Sequence, residues 1–144
     1  MREKAERTIR AYYAAFNRQD LDGFLDLLAD DVVHDINQGK REKGKPAFRR
    51  FLKRMNELYR ETVVDLVVMA SADGRRAAAE FTIRGTYLKS DKGLPPASGQ
   101  AYVLPVGAFF ALKRGKVARV SNHYNLNDWL AQVAKPARGT KKRR

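Results

Sequence analysis

The stretch from Ala11 to Asp35, AYYAAFNRQDLDGFLDLLADDVVHD, constrains the fold more than any other part of the chain. Its apolar residues continue a helical spacing that begins at Ala5, break off near Gln19, and resume as a second short amphipathic helix. Asp20 is a preferred N-cap residue, so it predicts where this second helix begins. A β-branched segment follows from Val32. The pattern therefore predicts two helices that lead directly into a strand.

The rest of the chain predicts one more long helix and then a sheet. Pro46 fits the first turn of the third helix, since its missing N–H is not needed there. From Thr62 the pattern is that of long strands joined by turns, with a glycine- and proline-rich loop at 90–100 that we expect to border a pocket. A short final helix, capped by Asn125 or Asn127, completes the order ααβαββββα.

This order predicts an α+β fold. We expect a cone-shaped, curved antiparallel sheet that packs on three helices from the N-terminal half and on a short C-terminal helix. Such an arrangement encloses a cavity of the kind that binds small ligands. A chain of 144 residues fits one domain, which we place at 1–134. Residues 135–144 have nothing to bury, and we expect them to form a disordered basic tail.

Composition excludes several classes of function. The chain has no cysteine, so disulfides, thiolate metal sites and cysteine nucleophiles are ruled out. His34 and His123 lack the spacing of metal ligands, and we expect neither a metal nor another cofactor. No apolar run approaches the ~20 residues that span a membrane, and the N-terminus has no apolar signal core. We therefore expect a cytoplasmic protein without a membrane partner.

The net charge of +13 is concentrated in two places. Residues 40–60 hold nine Lys or Arg against two acids, and residues 135–144 hold six against none. Basic patches of this kind can attract phosphate or nucleic acid. A solvated helix face with a solubilising tail is the simpler interpretation, so we do not expect nucleic acid as a partner.

Asp35 and Tyr12 are the candidate catalytic residues. Asp35 ends a predicted strand just before a turn, where a half-buried carboxyl would have a raised pKa and could act as a general base. Tyr12 lies within the apolar stripe of the first helix and could donate a hydrogen bond to a developing oxyanion. An Asx-turn residue and a core aromatic are the purely structural alternatives. Further side chains are expected to form the ligand-binding wall of the pocket: Phe16, Tyr59, Phe81, Tyr102, Asn122, Tyr124 and Trp129.

Three segments, AYYAAFNRQDLDGFLDLLADDVVHD, GKPAFRRFL and GKVARVSNHYNLNDW, resemble the ketosteroid isomerase-related branch of the SnoaL-like proteins. These proteins belong to the nuclear transport factor two-like superfamily. The resemblance covers about residues 5–134 and implies a deep apolar pocket for a small apolar ligand. It also implies a homodimer formed through the outer face of the sheet.

Ketosteroid isomerases use an Asp base, with an oxyanion hole made by a Tyr and a protonated Asp. By resemblance, Tyr12 matches the oxyanion tyrosine, and Asp35 matches the base only if one residue is deleted after Asp31. The protonated Asp would fall near Gly107 or Ala108, and neither side chain can donate a hydrogen bond. Losing one such donor raises the barrier by about 3 kcal/mol, so we do not expect a steroid isomerase.

Two functions stay open at this point. One is an isomerase-like enzyme that moves a proton on a small apolar carbonyl or cyclic substrate. The other is a non-catalytic domain that binds a small ligand or dimerises. A nucleic-acid role for the basic segments is a third reading, which removal of 135–144 would test.

Overall fold

The change from helical to alternating apolar spacing near residue 59 divides the structure into an N-terminal helical layer and a long sheet. The computed structural model describes residues 1–137. The helices are α1 (Arg2–Arg18), α2 (Leu21–Asp26), α3 (Lys45–Leu58) and α4 (Leu126–Val133). The strands are β1 (Leu28–Asp35), β2 (Arg41–Lys43), β3 (Tyr59–Ala70), β4 (Arg76–Tyr87), β5 (Ala101–Lys113) and β6 (Lys116–Tyr124). The prediction of a disordered tail falls mainly on 138–144, which lie outside the described residues.

The helix starts follow from local chemistry, as predicted. The Asp20 carboxylate accepts a hydrogen bond from the Gly23 amide at 3.0 Å and caps α2. Asn125 caps α4 by accepting from the Asp128 amide at 3.2 Å. Pro46 lies in the first turn of α3.

Two strands begin earlier than predicted, and one strand was not predicted. β1 begins at Leu28 instead of Val32, so residues 30–31, where the sequence predicts the end of α2, lie in the strand. β3 begins at Tyr59 instead of Thr62. The three-residue strand β2 was not predicted, because so short a segment has no readable alternation. It forms an antiparallel hairpin with β1, in which Asp35 lies opposite Arg41.

The six strands form one sheet in the order β2-β1-β6-β5-β4-β3. Four neighbouring pairs are antiparallel, whereas β1 and β6 run parallel. The parallel pair joins two strands that no hairpin connects, so turn geometry does not dictate their direction. Register shifts between Val64 and Val67, and between Ala111 and Leu112, bend the sheet over the helices. The predicted α+β fold class is confirmed.

Among residues 1–137, no helix is long and apolar enough to cross a membrane.

Candidate active site

A cavity of about 600 Å³ lies between the helices and the inner face of the sheet. This volume falls within the range of small-molecule sites. Tyr12 lines it from α1, where predicted. Six of the seven side chains expected in the pocket wall also line it: Phe16, Tyr59, Phe81, Asn122, Tyr124 and Trp129. Their contact with a ligand stays a prediction.

Asp35 does not line the cavity, contrary to its predicted position. Its carboxylate accepts hydrogen bonds from Arg41 at 2.6 Å and 3.0 Å and from the Arg119 Nε at 3.0 Å. These two guanidinium groups hold the pKa of Asp35 below its usual value, whereas a raised pKa was expected. Side chains alternate along a strand, so the cavity-facing positions are His34 and Ile36. The geometric reason for treating Asp35 as a base is therefore lost.

The structure places Glu61 in the cavity, whose lining also includes the carboxylates of Glu42 and Asp91. Glu61 lies on β3 in phase with Tyr59 and Val63, and it lines the cavity wall. Burial raises the pKa of Glu61, although the Tyr102 hydroxyl donates a hydrogen bond to its Oε2 at 2.6 Å and partly offsets that rise. A carboxyl with a raised pKa inside an apolar cavity has the properties of a general acid or base.

Tyr102, which was predicted in the ligand-binding wall, is not among the residues that line the cavity, and its hydroxyl instead supports Glu61 through the hydrogen bond described above. Glu61, Gly85 and Tyr102 lie side by side on β3, β4 and β5. A Cβ at position 85 would overlap the Tyr102 ring. The glycine is therefore what allows the tyrosine to reach across one strand to the carboxylate on the next.

Gly85→Ala should destabilise the protein by about 1–3 kcal/mol, because the added methyl group forces the Tyr102 ring out of its place. Urea unfolding measures the free-energy change. Gly107→Ala is the matched control, since no atom lies within 4 Å of a Cβ there and its backbone conformation is ordinary. Equal stability of the two variants would contradict this account of Gly85.

Asn17 holds helix α1 against the strand that carries Glu61. Its side chain donates to the Val63 carbonyl at 3.0 Å and accepts from the Val63 amide at 2.8 Å. β3 is an edge strand, so these backbone groups would otherwise lack a strand partner. The contact places Tyr13, one helical turn before Asn17, over the same part of the cavity.

Tyr12 and Tyr13 supply phenol groups to the cavity. Burial raises the pKa of each, so both stay protonated and able to donate at neutral pH. The Tyr13 hydroxyl has no hydrogen-bond partner within residues 1–137. An oxygen that becomes negative in the cavity would provide such a partner.

Asp91 lines the cavity from its rim, in the loop between β4 and β5. It accepts from the Tyr59 hydroxyl at 2.8 Å and forms an ion pair with Arg54 of α3. Tyr87 orders this loop, accepting from the Asp91 amide at 2.9 Å and donating to the Pro95 carbonyl at 2.7 Å. The loop at 90–100 therefore borders the cavity, as predicted.

Sequence reasoning missed Glu61, Tyr13 and Asp91 as site residues. For Glu61 a signal was present, because it alternates in phase with Tyr59 and Val63. The apolar run that follows Val63 masks this signal in the sequence. Within that run Asp65 adopts a positive φ of 56°, and the register of the strand shifts between Val64 and Val67. Among residues 1–137, no three His, Asp or Glu side chains are grouped so as to hold a metal ion.

Comparison with known families and structures identifies the relatives of this fold and cavity. A model of the SnoaL-like domain matches residues 9–120. The chain belongs to the SnoaL-like family. No match was found among proteins with curated descriptions.

Three solved structures are similar to this SnoaL-like chain over nearly their whole length, and each is described as a proposed polyketide cyclase. The protein of Pseudomonas putida KT2440 is 60% identical, with 90% of this chain and 97% of that chain covered and a TM-score of 0.89. The protein of Xanthomonas campestris is 53% identical, with 92% and 98% covered and a TM-score of 0.90. The protein of Silicibacter sp. TM1040 is 45% identical, with 92% and 97% covered and a TM-score of 0.90.

More distant structures share the fold of this SnoaL-like protein. They include nuclear transport factor two-like proteins and one described as a proposed ketosteroid isomerase, all below 25% identity. The resemblance inferred from the sequence is thereby confirmed at the level of family and fold. Fold alone does not assign a reaction.

Proposed function

We propose that this SnoaL-like protein is an enzyme that moves a proton on a small, largely apolar carbonyl compound and thereby closes a ring. The observation that carries the proposal is the Glu61 carboxyl, which lies in the wall of an apolar cavity with a raised pKa and a supporting hydrogen bond from Tyr102. The similarity to three proposed polyketide cyclases favours ring closure over simple isomerisation.

The steps balance without a cofactor. The Glu61 carboxylate removes a proton from the carbon next to a carbonyl group, and the C–H electron pair forms an enolate. Tyr12 and Tyr13 donate hydrogen bonds to the enolate oxygen, and the amide of Asn122 lines the same cavity as a further donor. The enolate carbon then attacks a second carbonyl carbon of the same substrate. The new alkoxide takes up the proton that Glu61 received.

Deuterium exchange into ketones that fit a cavity of about 600 Å³, such as 2-tetralone, tests the first step. We expect NMR spectroscopy in D2O to show exchange of the α-protons in the presence of the wild-type protein. This exchange should be faster than in the same buffer with the Tyr12→Phe, Tyr13→Phe double variant in place of the wild-type protein. Exchange at the buffer rate for every ketone in a panel would reject the enzyme proposal. Tight binding of such ketones without exchange would instead support a non-catalytic ligand-binding domain.

We also propose that two copies of the chain associate through the outer face of the sheet. Four large apolar side chains on this face are about half exposed: Val67, Met69, Val103 and Phe109. Single exposed apolar residues are ordinary, but a group on one sheet face is typical of an interaction site. A second copy is the occupant that the family resemblance implies.

Light scattering should give a mass of about twice 16.4 kDa for the wild-type protein. Phe109→Glu should shift the mass to that of one chain, because a carboxylate in the centre of an apolar interface is costly to desolvate. Ala14→Glu, an equal charge change at an exposed position of α1, should leave the dimer intact. A monomeric wild-type protein would contradict the proposal.

A further inference from the structure

His34 and Glu42 form a pair of polar side chains in the wall of the cavity. They lie directly opposite each other on the antiparallel strands β1 and β2, and both line the cavity. Cross-strand partners have Cβ atoms about 5 Å apart, so one small ligand group can reach both side chains. Neither residue has a role in the proton transfer described above.

Both side chains present a buried polar atom that is not hydrogen-bonded. Nδ1 of His34 and Oε1 of Glu42 have no partner within residues 1–137. His34 is 2% exposed, and its ring stacks on Phe48 at 4.3 Å and meets the edge of Phe51 at 4.7 Å. This packing fixes the direction of the imidazole nitrogen. Leaving such atoms unpaired costs about 1–3 kcal/mol each, so a partner for both is strongly favoured.

The chemistry of the pair selects the partner. A carboxylate oxygen only accepts hydrogen bonds, whereas Nδ1 of a neutral imidazole donates or accepts according to its tautomer. A ligand carbonyl could accept from His34 but would leave the Glu42 oxygen unpaired. A hydroxyl group can donate to Glu42 and accept from His34 at the same time.

An ammonium group could also donate to both atoms, but its desolvation disfavours it. The basic side chains that line the cavity, Lys40, Arg50 and Arg54, are balanced by the carboxylates of Glu42, Glu61 and Asp91, so the lining charge does not decide between the two groups. An ammonium group must lose its hydration to enter a largely apolar cavity, which costs far more than the desolvation of a neutral hydroxyl.

We propose that His34 and Glu42 form a hydroxyl-binding subsite, and that the ligand of this protein carries a phenolic or enolic hydroxyl on its largely apolar frame. The subsite lies on β1 and β2, at the opposite end of the sheet order from Glu61 on β3. The hydroxyl would therefore be bound by different strands from the one that carries Glu61. This inference uses the cavity of the proposed function and names its substrate class, but it concerns binding and does not require turnover.

The test compares the binding of 2-naphthol, naphthalene and 2-naphthylmethylamine by calorimetry or fluorescence. We expect wild-type protein to bind 2-naphthol about tenfold or more tightly than naphthalene, as one or two net hydrogen bonds would produce. His34→Phe keeps the stacked ring and removes both nitrogens, and it should reduce this preference to about twofold or less. Glu42→Met should do the same, and it lies on a short, partly exposed strand where folding is less at risk.

Two control variants make the outcome specific. Glu57→Met removes an exposed carboxylate of α3 that does not line the cavity, and it should keep the full preference for naphthol. Glu61→Gln should also keep it, while losing α-proton exchange. A preference that survives both His34→Phe and Glu42→Met, or one that is lost only in Glu61→Gln, would overturn the subsite. Stronger binding of the amine than of naphthol would overturn it too.

Histidine NMR supplies a direct readout, because the chain has only two histidines, His34 and His123. With ¹⁵N-labelled histidine, 2-naphthol should shift the Nδ1 signal of His34 and naphthalene should not. His123→Gln assigns the two sets of signals. No shift at saturating naphthol would mean that the hydroxyl binds elsewhere or that water satisfies the pair, and either result rejects the proposal. Failure here would leave the Glu61 chemistry untouched, since exchange activity is measured separately.

Discussion

Glu61→Gln should lower the rate of α-proton exchange by about 10²–10⁴-fold, the usual contribution of a positioned general base. The amide keeps the size and shape of the side chain but cannot accept a proton. The rate of deuterium uptake by an accepted ketone, measured by NMR, is the readout. Binding of the same ketone should change little, so the loss should appear in kcat more than in KM.

Asp35→Asn is the matched control, because it makes the same carboxylate-to-amide change on the outer side of the sheet. Its exchange rate should stay close to that of the wild-type protein, since Asp35 does not line the cavity and is paired with Arg41 and Arg119. An equal loss in the two variants would show that general damage, and not the removal of a base, slows the reaction.

Tyr102→Phe tests whether Glu61 is the titrating base, because a purely structural role of Tyr102 would not shift the pH dependence of the reaction. The Tyr102 hydroxyl lowers the pKa of Glu61 against the larger effect of burial. Removing that hydroxyl should raise the pKa further, so the rising limb of the pH–rate profile should move to higher pH. A profile that keeps its position while only its height changes would argue against Glu61 as the titrating base.

Lowering the pH from 7 to 4 should destabilise the wild-type protein by about 3 kcal/mol through His34 alone. Burial lowers the pKa of His34 from 6.5 to about 4, and the neighbouring Asp35 charge only partly opposes this. Between these two values the unfolded chain binds a proton that the folded protein does not. Stability from this residue is therefore complete above pH 6.5 and is lost as the pH falls towards 4.

His34→Phe isolates this contribution, because the variant keeps an aromatic ring against Phe48 and has nothing to titrate. Urea unfolding at a series of pH values should give a flatter dependence for the variant. Glu61 acts in the opposite direction, since its raised pKa favours the folded state as the pH falls. That effect is common to both proteins, so it cancels in the difference between their pH dependences. Parallel curves would contradict the neutral, buried state of His34.

The helices and the residues at which they begin were predictable because their signals are local. The apolar stripe of α1, the cap at Asp20 and the proline in the first turn of α3 each depend on residues within one or two turns. The same is true of Asn125 at the start of α4. Tyr12 could be placed in the cavity for this reason, since a helical stripe has only one inner face.

The strand residues of the site were harder to place, because the phase of a strand is decided by its pairing. A shift of one residue in the pairing register moves every side chain of a strand to the other face of the sheet. His34 and Asp35 therefore have opposite environments although they are neighbours in sequence. The bulge at Asp65 changes the phase of β3 in the same way. For this reason the sequence predicts a catalytic carboxylate at Asp35 on β1, whereas the structure places the carboxylate of Glu61, on β3, in the cavity.

The sequence by itself determined the α+β class, the helical layer from Ala11 to the start of β1, and an aromatic pocket, because period, caps and composition are properties of short segments. Only the tertiary structure decided which polar groups enter that pocket. Glu61 is half-buried in the cavity wall, where desolvation raises its pKa, and it is hydrogen-bonded because Tyr102 reaches it across Gly85 from a strand some 40 residues away. Such an environment is made by three strands together, and no single segment contains it.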